Sequence, residues 1–288
     1  MKQFNKNIIL YLLRIGDFFI DNKIFLFMHN IISFCMFFFY KIFYGIVFKH
    51  VSFDGKEDHV LFDSEENNTI LKIQKLRKNK GMFKNINMVF ICDGNRRWAK
   101  KHGYTDTTKK VEIGINKIHE IILFLYLQGC KSASFYVFAI RNFRRASDEL
   151  SAIKKYLKSE SIKKYNLKVK IYGEIERFED KQVVENISKW ENNSNSINDE
   201  TFVINLFLAY NSTECDKDKS NLRAYFDDPV DILVRTSGER RLSDFMVRQV
   251  ASGTQVKFIS PLWPELTISH VFFILLQQKF ERIISRII

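Results

Sequence analysis

The sequence predicts an α/β domain: a single mainly parallel six-stranded sheet with helices on both faces, plus an N-terminal membrane-associated helical arm. Three observations predict it. From residue 88 onward, six short runs rich in Val, Ile, Phe and Tyr alternate with segments of helical spacing. Those runs are mostly apolar on both faces, the character of strands buried between helix layers. Strand–helix alternation in turn implies a mainly parallel sheet. In such sheets ligands sit beyond the carboxyl ends of the strands, so the segments just after each strand are the places to search.

The elements follow in order. Residues 24–40, IFLFMHNIISFCMFFFY, contain no Asp, Glu, Lys or Arg, and IFYGIVF continues the apolar character after Lys41. A spanning helix needs about 20 mostly apolar residues, and His29 and Asn30 weigh against hydrocarbon burial. Upstream, NIILYLLRIGDFFIDNKIF alternates apolar and charged residues as an interfacial helix does. Residues 1–50 are therefore read as a membrane-associated arm, spanning or lying flat, with a buried core helix as the competing reading. No small-residue cleavage site follows, which excludes a cleaved signal peptide. Residues 51–87 carry DGKEDH, DSEENN and KLRKNKG and read as a polar linker with a short helix near 68–77. The domain from 88 to 288 places strands at 88–92, 133–139, 167–173, 202–209, 231–235 and 256–260. Helical spacing covers 111–128, 148–165, 180–193, 242–251 and 266–286.

Composition bounds the function. The chain of 288 residues is 46% hydrophobic and 15% aromatic, which excludes a disordered chain. A formal net charge of +12 points to a polyanionic partner: nucleic acid, an anionic membrane face or phosphorylated substrates. No recognised nucleic-acid motif is present and the basic charge is scattered, so no nucleic-acid partner is expected. None of the four cysteines has C-x-x-C spacing, which argues against a zinc site or disulfide framework and for a reducing, cytosol-facing compartment.

Three strand ends are chemically loaded. Strand 88–92 delivers Asp93, Gly94, Asn95, Arg96, Arg97 and Trp98. Glycine permits a tight turn, a helix N-terminus favours an anion, and the arginines suit phosphate oxygens. A carboxylate in this positive field makes sense if it holds a cation that the anion also ligates, as Mg²⁺ with diphosphate would. Taken alone, Asp93 also suits a helix N-cap with the arginines in solvent. Strand 133–139 is followed by Arg141, Asn142, Phe143, Arg144 and Arg145; alone, this also reads as a basic exposed loop. Strand 231–235 ends at Arg235, then Thr-Ser-Gly, Glu239, Arg240, Arg241 and Ser243, a second anion cradle.

Together these segments resemble the cis-prenyltransferases, the family of undecaprenyl and dehydrodolichyl diphosphate synthases, in their eukaryotic dolichol-type branch. MVFICDGNRRWAKKHG is similar to the opening D-G-N-x-R-W-A motif, YVFAIRNFRR to the Y-A-F-S-x-E-N-(W/F)-x-R segment, and DILVRTSGERRLSDFMVRQ with FISPLWPE to the two closing elements. The resemblance implies condensation of isopentenyl diphosphate with an allylic diphosphate, of farnesyl type, with Z stereochemistry, giving a long polyprenyl diphosphate for dolichol and protein glycosylation. It implies that Asp93 holds Mg²⁺ and assists diphosphate departure. Gly94, Asn95, Arg96, Arg97 and Arg145 bind the allylic diphosphate, with Trp98 and Phe143 packed near it. Asn142 stands where a proton-accepting role is assigned, and Arg235, Arg241 and Ser243 hold isopentenyl diphosphate. The product would lie in an apolar tunnel against 111–128, with plain core packing as the alternative for that helix.

Several positions depart from the family pattern. An Arg followed by G-H-x-x-G is represented by Asp106, Thr107, Lys110, Val111 and Gly114. Ala139 and Arg141 replace Ser and Glu, Arg248 replaces a tryptophan, and Gln255 stands where bacterial members place a metal-binding Glu. The last residues read Arg286-Ile287-Ile288 where single-subunit members have R-x-G. The resemblance then implies a heteromer with a Nogo-B-receptor-like subunit supplying that motif, at the endoplasmic reticulum membrane with the catalytic domain facing the cytosol. The competing reading is a non-catalytic subunit or polyprenyl-lipid-binding scaffold of such a complex.

Overall fold

A computed structural model describes residues 81–145, 147–159, 167–195, 202–215 and 226–287. The expected arm (1–50), the linker up to residue 80 and its short helix lie outside the described residues.

Six strands form one sheet: β1 Asn87–Ile91, β2 Ser132–Ala139, β3 Lys168–Tyr172, β4 Val203–Tyr210, β5 Ile232–Arg235 and β6 Gln255–Phe258. Their order is β3-β4-β2-β1-β5-β6 and every pairing is parallel. The helices are α1 Asn95–Lys101, α2 Thr107–Leu127, α3 Ser147–Lys158, α4 Lys181–Asn195, α5 Ser212–Cys215, α6 Val247–Ala251 and α7 Ile268–Ile287. All six expected strands form, within two residues of their predicted limits.

Every residue of β1 and β5 is buried, as strands covered on both faces must be. Side chains alternate along β1. Phe90 stacks on Phe135 at 5.5 Å and meets the edge of Trp263 at 5.9 Å. Val89 and Ile91 join the opposite core with Tyr136, Phe207, Phe226, Leu233 and Phe245. Period-two alternation thus feeds two cores from one strand. Each fully buried large side chain contributes about 1.5–3 kcal/mol. α2 buries Gly114, Ile118, Ile121, Ile122 and Leu125, spaced as one helical face.

Two departures from the sequence expectation stand out. Residues 81–87, assigned to the linker, join the fold: Phe83 and Ile86 are buried, and Asn87 opens β1. The helix expected over 242–251 begins only at Val247. Tertiary hydrogen bonds hold the preceding segment in another shape. Asp244 Oδ1 accepts from Thr213 N at 3.1 Å and from Thr213 Oγ1 at 2.7 Å, and Arg235 donates to Ser243 Oγ at 2.6 Å. Ser243, Asp244 and Met246 are left-handed, with φ of 60°, 58° and 53°. Three such residues are incompatible with a helix.

Candidate active site

The parallel sheet brings the loaded segments together. β1 pairs with β2 on one side and β5 on the other, so Ile91 lies level with both Tyr136 and Arg235. The loops after these three strands therefore rise from adjacent points on one rim.

Asp93 is fixed there by its backbone. Thr236 Oγ1 accepts from Asp93 N at 3.0 Å and donates to Asp93 O at 2.7 Å. Trp263 N donates to the same carbonyl at 2.9 Å. The carboxylate then meets Arg235, whose Nη2 donates to Oδ2 at 2.7 Å, while Oδ1 lies 3.4 Å from Arg97 Nη2. Arg235 is 1% exposed and also donates through Nη1 to Ser243 Oγ and the Arg241 carbonyl. A buried guanidinium without a counter-charge costs several kcal/mol, and Asp93 with these acceptors offsets that. Burial works to raise the Asp93 carboxyl. The hydrogen bond and charge of Arg235, with the charge of Arg97, outweigh it and hold the group below its ordinary value. Asp93 is thus a carboxylate at neutral pH.

It is not a helix cap. The N-cap of α1 is Gly94, at φ 110°, with no side-chain capping bond. A Cβ at this glycine would stand 2.9 Å from Leu262 Cδ2 and 3.0 Å from Leu262 Cα. Asn95 turns inward: its Nδ2 donates to Cys92 O at 3.3 Å, and its buried Oδ1 lies 2.8 Å from where a Cβ on Gly114 would fall. That close approach accounts for a glycine in the first half of α2, whose carbonyl also accepts from Trp263 Nε1 at 2.8 Å.

Arg96 and Arg97 are exposed on α1. Arg97 also reaches Glu239 Oε1 at 3.4 Å, and Glu239 pairs with Arg241. Glu239 therefore links the first basic segment to the second. Thr236, in the Thr-Ser-Gly turn, and Glu239 belong to the second cradle of the sequence reading; that they reach Asp93 and Arg97 depends on β1 and β5 being neighbours. Trp98 stacks on His102 at 4.3 Å and Tyr104 at 5.3 Å.

The third segment is a 3₁₀ turn, Ile140–Arg144, directly after β2. Phe143 anchors it, packing on Phe138 at 4.9 Å and Phe178 at 5.2 Å. The Asn142 carbonyl accepts from Arg145 N at 3.0 Å. Arg145 donates to Glu149 Oε1 at 3.0 Å. Burial pushes the Arg145 guanidinium down, Glu149 supports its charge, and Arg96 and Arg141 oppose it.

Asp93, Arg97, Arg235, Arg241 and Ser243 thus share one bonded network; Arg96 and Arg145 lie in each other's field, and Asn95, Trp98 and Phe143 make packing and local contacts. Asp106, near the family's arginine position, caps α2 by accepting from Thr108 N at 2.8 Å. An open groove between the starts of α2 and α3 has polar lining residues including Thr107, Thr108, Ser147, Ser151 and Lys155. Gln255 opens β6 level with Ile232, at the end of the sheet away from Asp93, and bonds Glu281. Its neutral amide does not bear on a cation at Asp93 of the same chain.

Among the described residues no group of three or more His, Cys, Asp or Glu could hold a metal by itself. The donor set fits a different arrangement. A partly exposed, ionised carboxylate beside several guanidiniums suits Mg²⁺ that keeps waters and shares its coordination with substrate phosphates.

A strand-end carboxylate ringed by guanidiniums on a parallel sheet defines a class of enzyme that handles phosphorylated substrates. The comparisons with known proteins make the class specific. A family model described as putative undecaprenyl diphosphate synthase matches residues 91–283, and the chain belongs to this cis-prenyltransferase family. It is a prenyltransferase by that membership. It is 40% identical over 211 residues to a dehydrodolichyl diphosphate synthase of Encephalitozoon cuniculi, covering 71% of this chain and 74% of the relative. It is 26% identical to a dehydrodolichyl diphosphate synthase complex subunit of Schizosaccharomyces pombe, over 67% of this chain and 84% of the relative. The fold matches lavandulyl diphosphate synthase from Lavandula x intermedia, solved with dimethylallyl diphosphate, at a TM-score of 0.56 and 22% identity, covering 66% of this chain and 93% of that one.

Proposed function

We propose that the chain is the catalytic subunit of a cis-prenyltransferase that adds isopentenyl diphosphate units to a farnesyl-type allylic diphosphate, making a long polyprenyl diphosphate for dolichol and protein glycosylation. The observation that carries this reading is the 2.7 Å bond from Arg235 to Asp93, which joins two basic strand ends into one continuous site. Two diphosphates meeting in one reaction need two cradles side by side.

The chemistry follows from that placement. The allylic C–O bond breaks and the diphosphate leaves with the bonding pair. The isopentenyl double bond supplies the electrons of the new C–C bond, and loss of a proton from isopentenyl C2 forms the Z double bond. Gly94, Arg96, Arg97 and Arg145 hold the leaving diphosphate, and their positive charge stabilises what accumulates on it. Arg235, Arg241 and Ser243 position isopentenyl diphosphate, Arg235 through a guanidinium already fixed by Asp93. Asn142 positions the departing proton by hydrogen bonding. Mg²⁺ would be held by Asp93 together with diphosphate oxygens, and when bound it would supply charge neutralisation to the leaving group.

A heteromeric assembly with a Nogo-B-receptor-like subunit at the endoplasmic reticulum membrane belongs to the same reading. The fission-yeast relative, named as a complex subunit, supports it. Among the described residues no helix is long and apolar enough to cross a membrane, so attachment would rest on the arm over 1–50.

The test is turnover of labelled isopentenyl diphosphate with farnesyl diphosphate and Mg²⁺, with and without the partner subunit, using Asp93→Ala as control. Long prenyl products that vanish in the variant are expected. Absence of product under both conditions would favour the lipid-binding scaffold.

A further inference from the structure

The turn after β2 carries more positive charge than its own partners neutralise. Arg145 pairs with Glu149 at 3.0 Å. Arg96 and Arg141 are exposed, and among the described residues neither makes a hydrogen bond or an ion pair. The fold nevertheless brings all three together. β1 and β2 are neighbours in register, so α1, with Arg96 in its first turn, and the turn Ile140–Arg144 start from adjacent strand ends. Phe143 locks the turn by packing on Phe138 and Phe178. With three residues per 3₁₀ turn, that anchor leaves Arg141 presented outward.

The electrostatics agree with this placement. The charges of Arg96 and Arg141 both bear on Arg145. Arg141 also bears on buried Tyr136, which lies within the field of Arg235 as well. Clustered guanidiniums repel one another, and two of these three have no counter-ion among the described residues. A polyoxyanion removes the repulsion and uses the forked donors in pairs.

We infer that Arg141 is a substrate-binding residue: with Arg96 and Arg145 it forms a three-guanidinium cradle that takes the diphosphate of the allylic substrate. The inference rests on the prenyltransferase reading above and adds to it a residue at a position where the family pattern has a carboxylate. Charge inversion there strengthens anion binding at this strand end.

Calorimetric titration of the full-length chain with farnesyl thiolodiphosphate and Mg²⁺ tests it, because this analogue binds without reacting. Arg141→Gln is expected to weaken binding about 10-fold or more, the loss of one charge-assisted contact. Arg141→Lys should recover part of that, and KM for isopentenyl diphosphate should change less than about 3-fold, since that substrate occupies the other cradle. Lys189→Gln removes the same charge from the exposed face of α4 and serves as the control. Equal weakening by Arg141→Gln and Lys189→Gln would assign the effect to net charge and overturn the cradle. Unchanged binding in Arg141→Gln beside weakened binding in Arg145→Gln would also overturn it, while leaving the enzyme assignment intact. Failure of the unmodified chain to bind the analogue would overturn both. An unchanged thermal midpoint confirms that each variant is folded.

Discussion

Asp93 compensates a buried arginine and is the proposed Mg²⁺ ligand, and both roles need its charge. Asp93→Asn keeps the shape and removes the charge. Loss of turnover by about 10²–10³-fold is expected, measured as product formed at saturating substrates. The pH dependence follows from the sign of its shift. The folded-state value lies below the unfolded one, so the carboxylate adds stability that is fully present above the unfolded value, about 3.9. That contribution is lost as pH falls through the lowered folded value. Thermal midpoints of the unmodified chain should therefore fall in acid below about pH 4, and Asp93→Asn should lack that component. Thr236 works by position alone. Its buried hydroxyl bonds both the N–H and the carbonyl of Asp93. Thr236→Val removes one bond from each of these groups, which keep Ile91 O and Trp263 N as partners. It should cost about 0.5–1.5 kcal/mol in denaturant unfolding and lower kcat more than it raises either KM.

Among the elements, α1 and α2 meet where Gly114 admits the Asn95 side chain. Gly114→Ala would gain about 1 kcal/mol of helix propensity. Against that stands a Cβ 2.8 Å from a buried amide oxygen, and overpacking of this kind costs about 1–3 kcal/mol. The clash exceeds the propensity gain, so a lower unfolding midpoint is expected, with Asn95→Ala restoring part of it in the double variant. The segment 242–246 makes the complementary point. Its residues carry helical spacing, yet Thr213 and Arg235 draw it into left-handed conformations that place Ser243 against Arg235. Local pattern lost there to long-range hydrogen bonds.

At the scale of the whole molecule, the chain carries a formal charge of +12 and the proposed ligands are anions. Long-range attraction of this kind is screened over about 8–10 Å at ordinary ionic strength. Raising salt from about 0.05 to about 0.3 M should raise KM for both diphosphates while leaving kcat nearly constant, read from initial rates at fixed Mg²⁺. A fall in kcat with unchanged KM would place the salt effect elsewhere, in subunit assembly.

Residue order alone determined much of this protein. Short, mostly apolar runs specified six strands, because strands covered on both faces favour apolar side chains. The basic segments after β1, β2 and β5 marked the rim, because parallel strands present their loops at one end. Tertiary structure decided which of those residues touch. The strand order seats Ile91 between Tyr136 and Arg235, so the loop after it directs the Asp93 carboxylate to a buried guanidinium rather than to a helix cap, while Asn95 turns inward against Cys92 and Gly114. It also moves Gln255 to the far end of the sheet. The Asp93–Arg235 contact depends on pairing between segments more than a hundred residues apart, which no local pattern records.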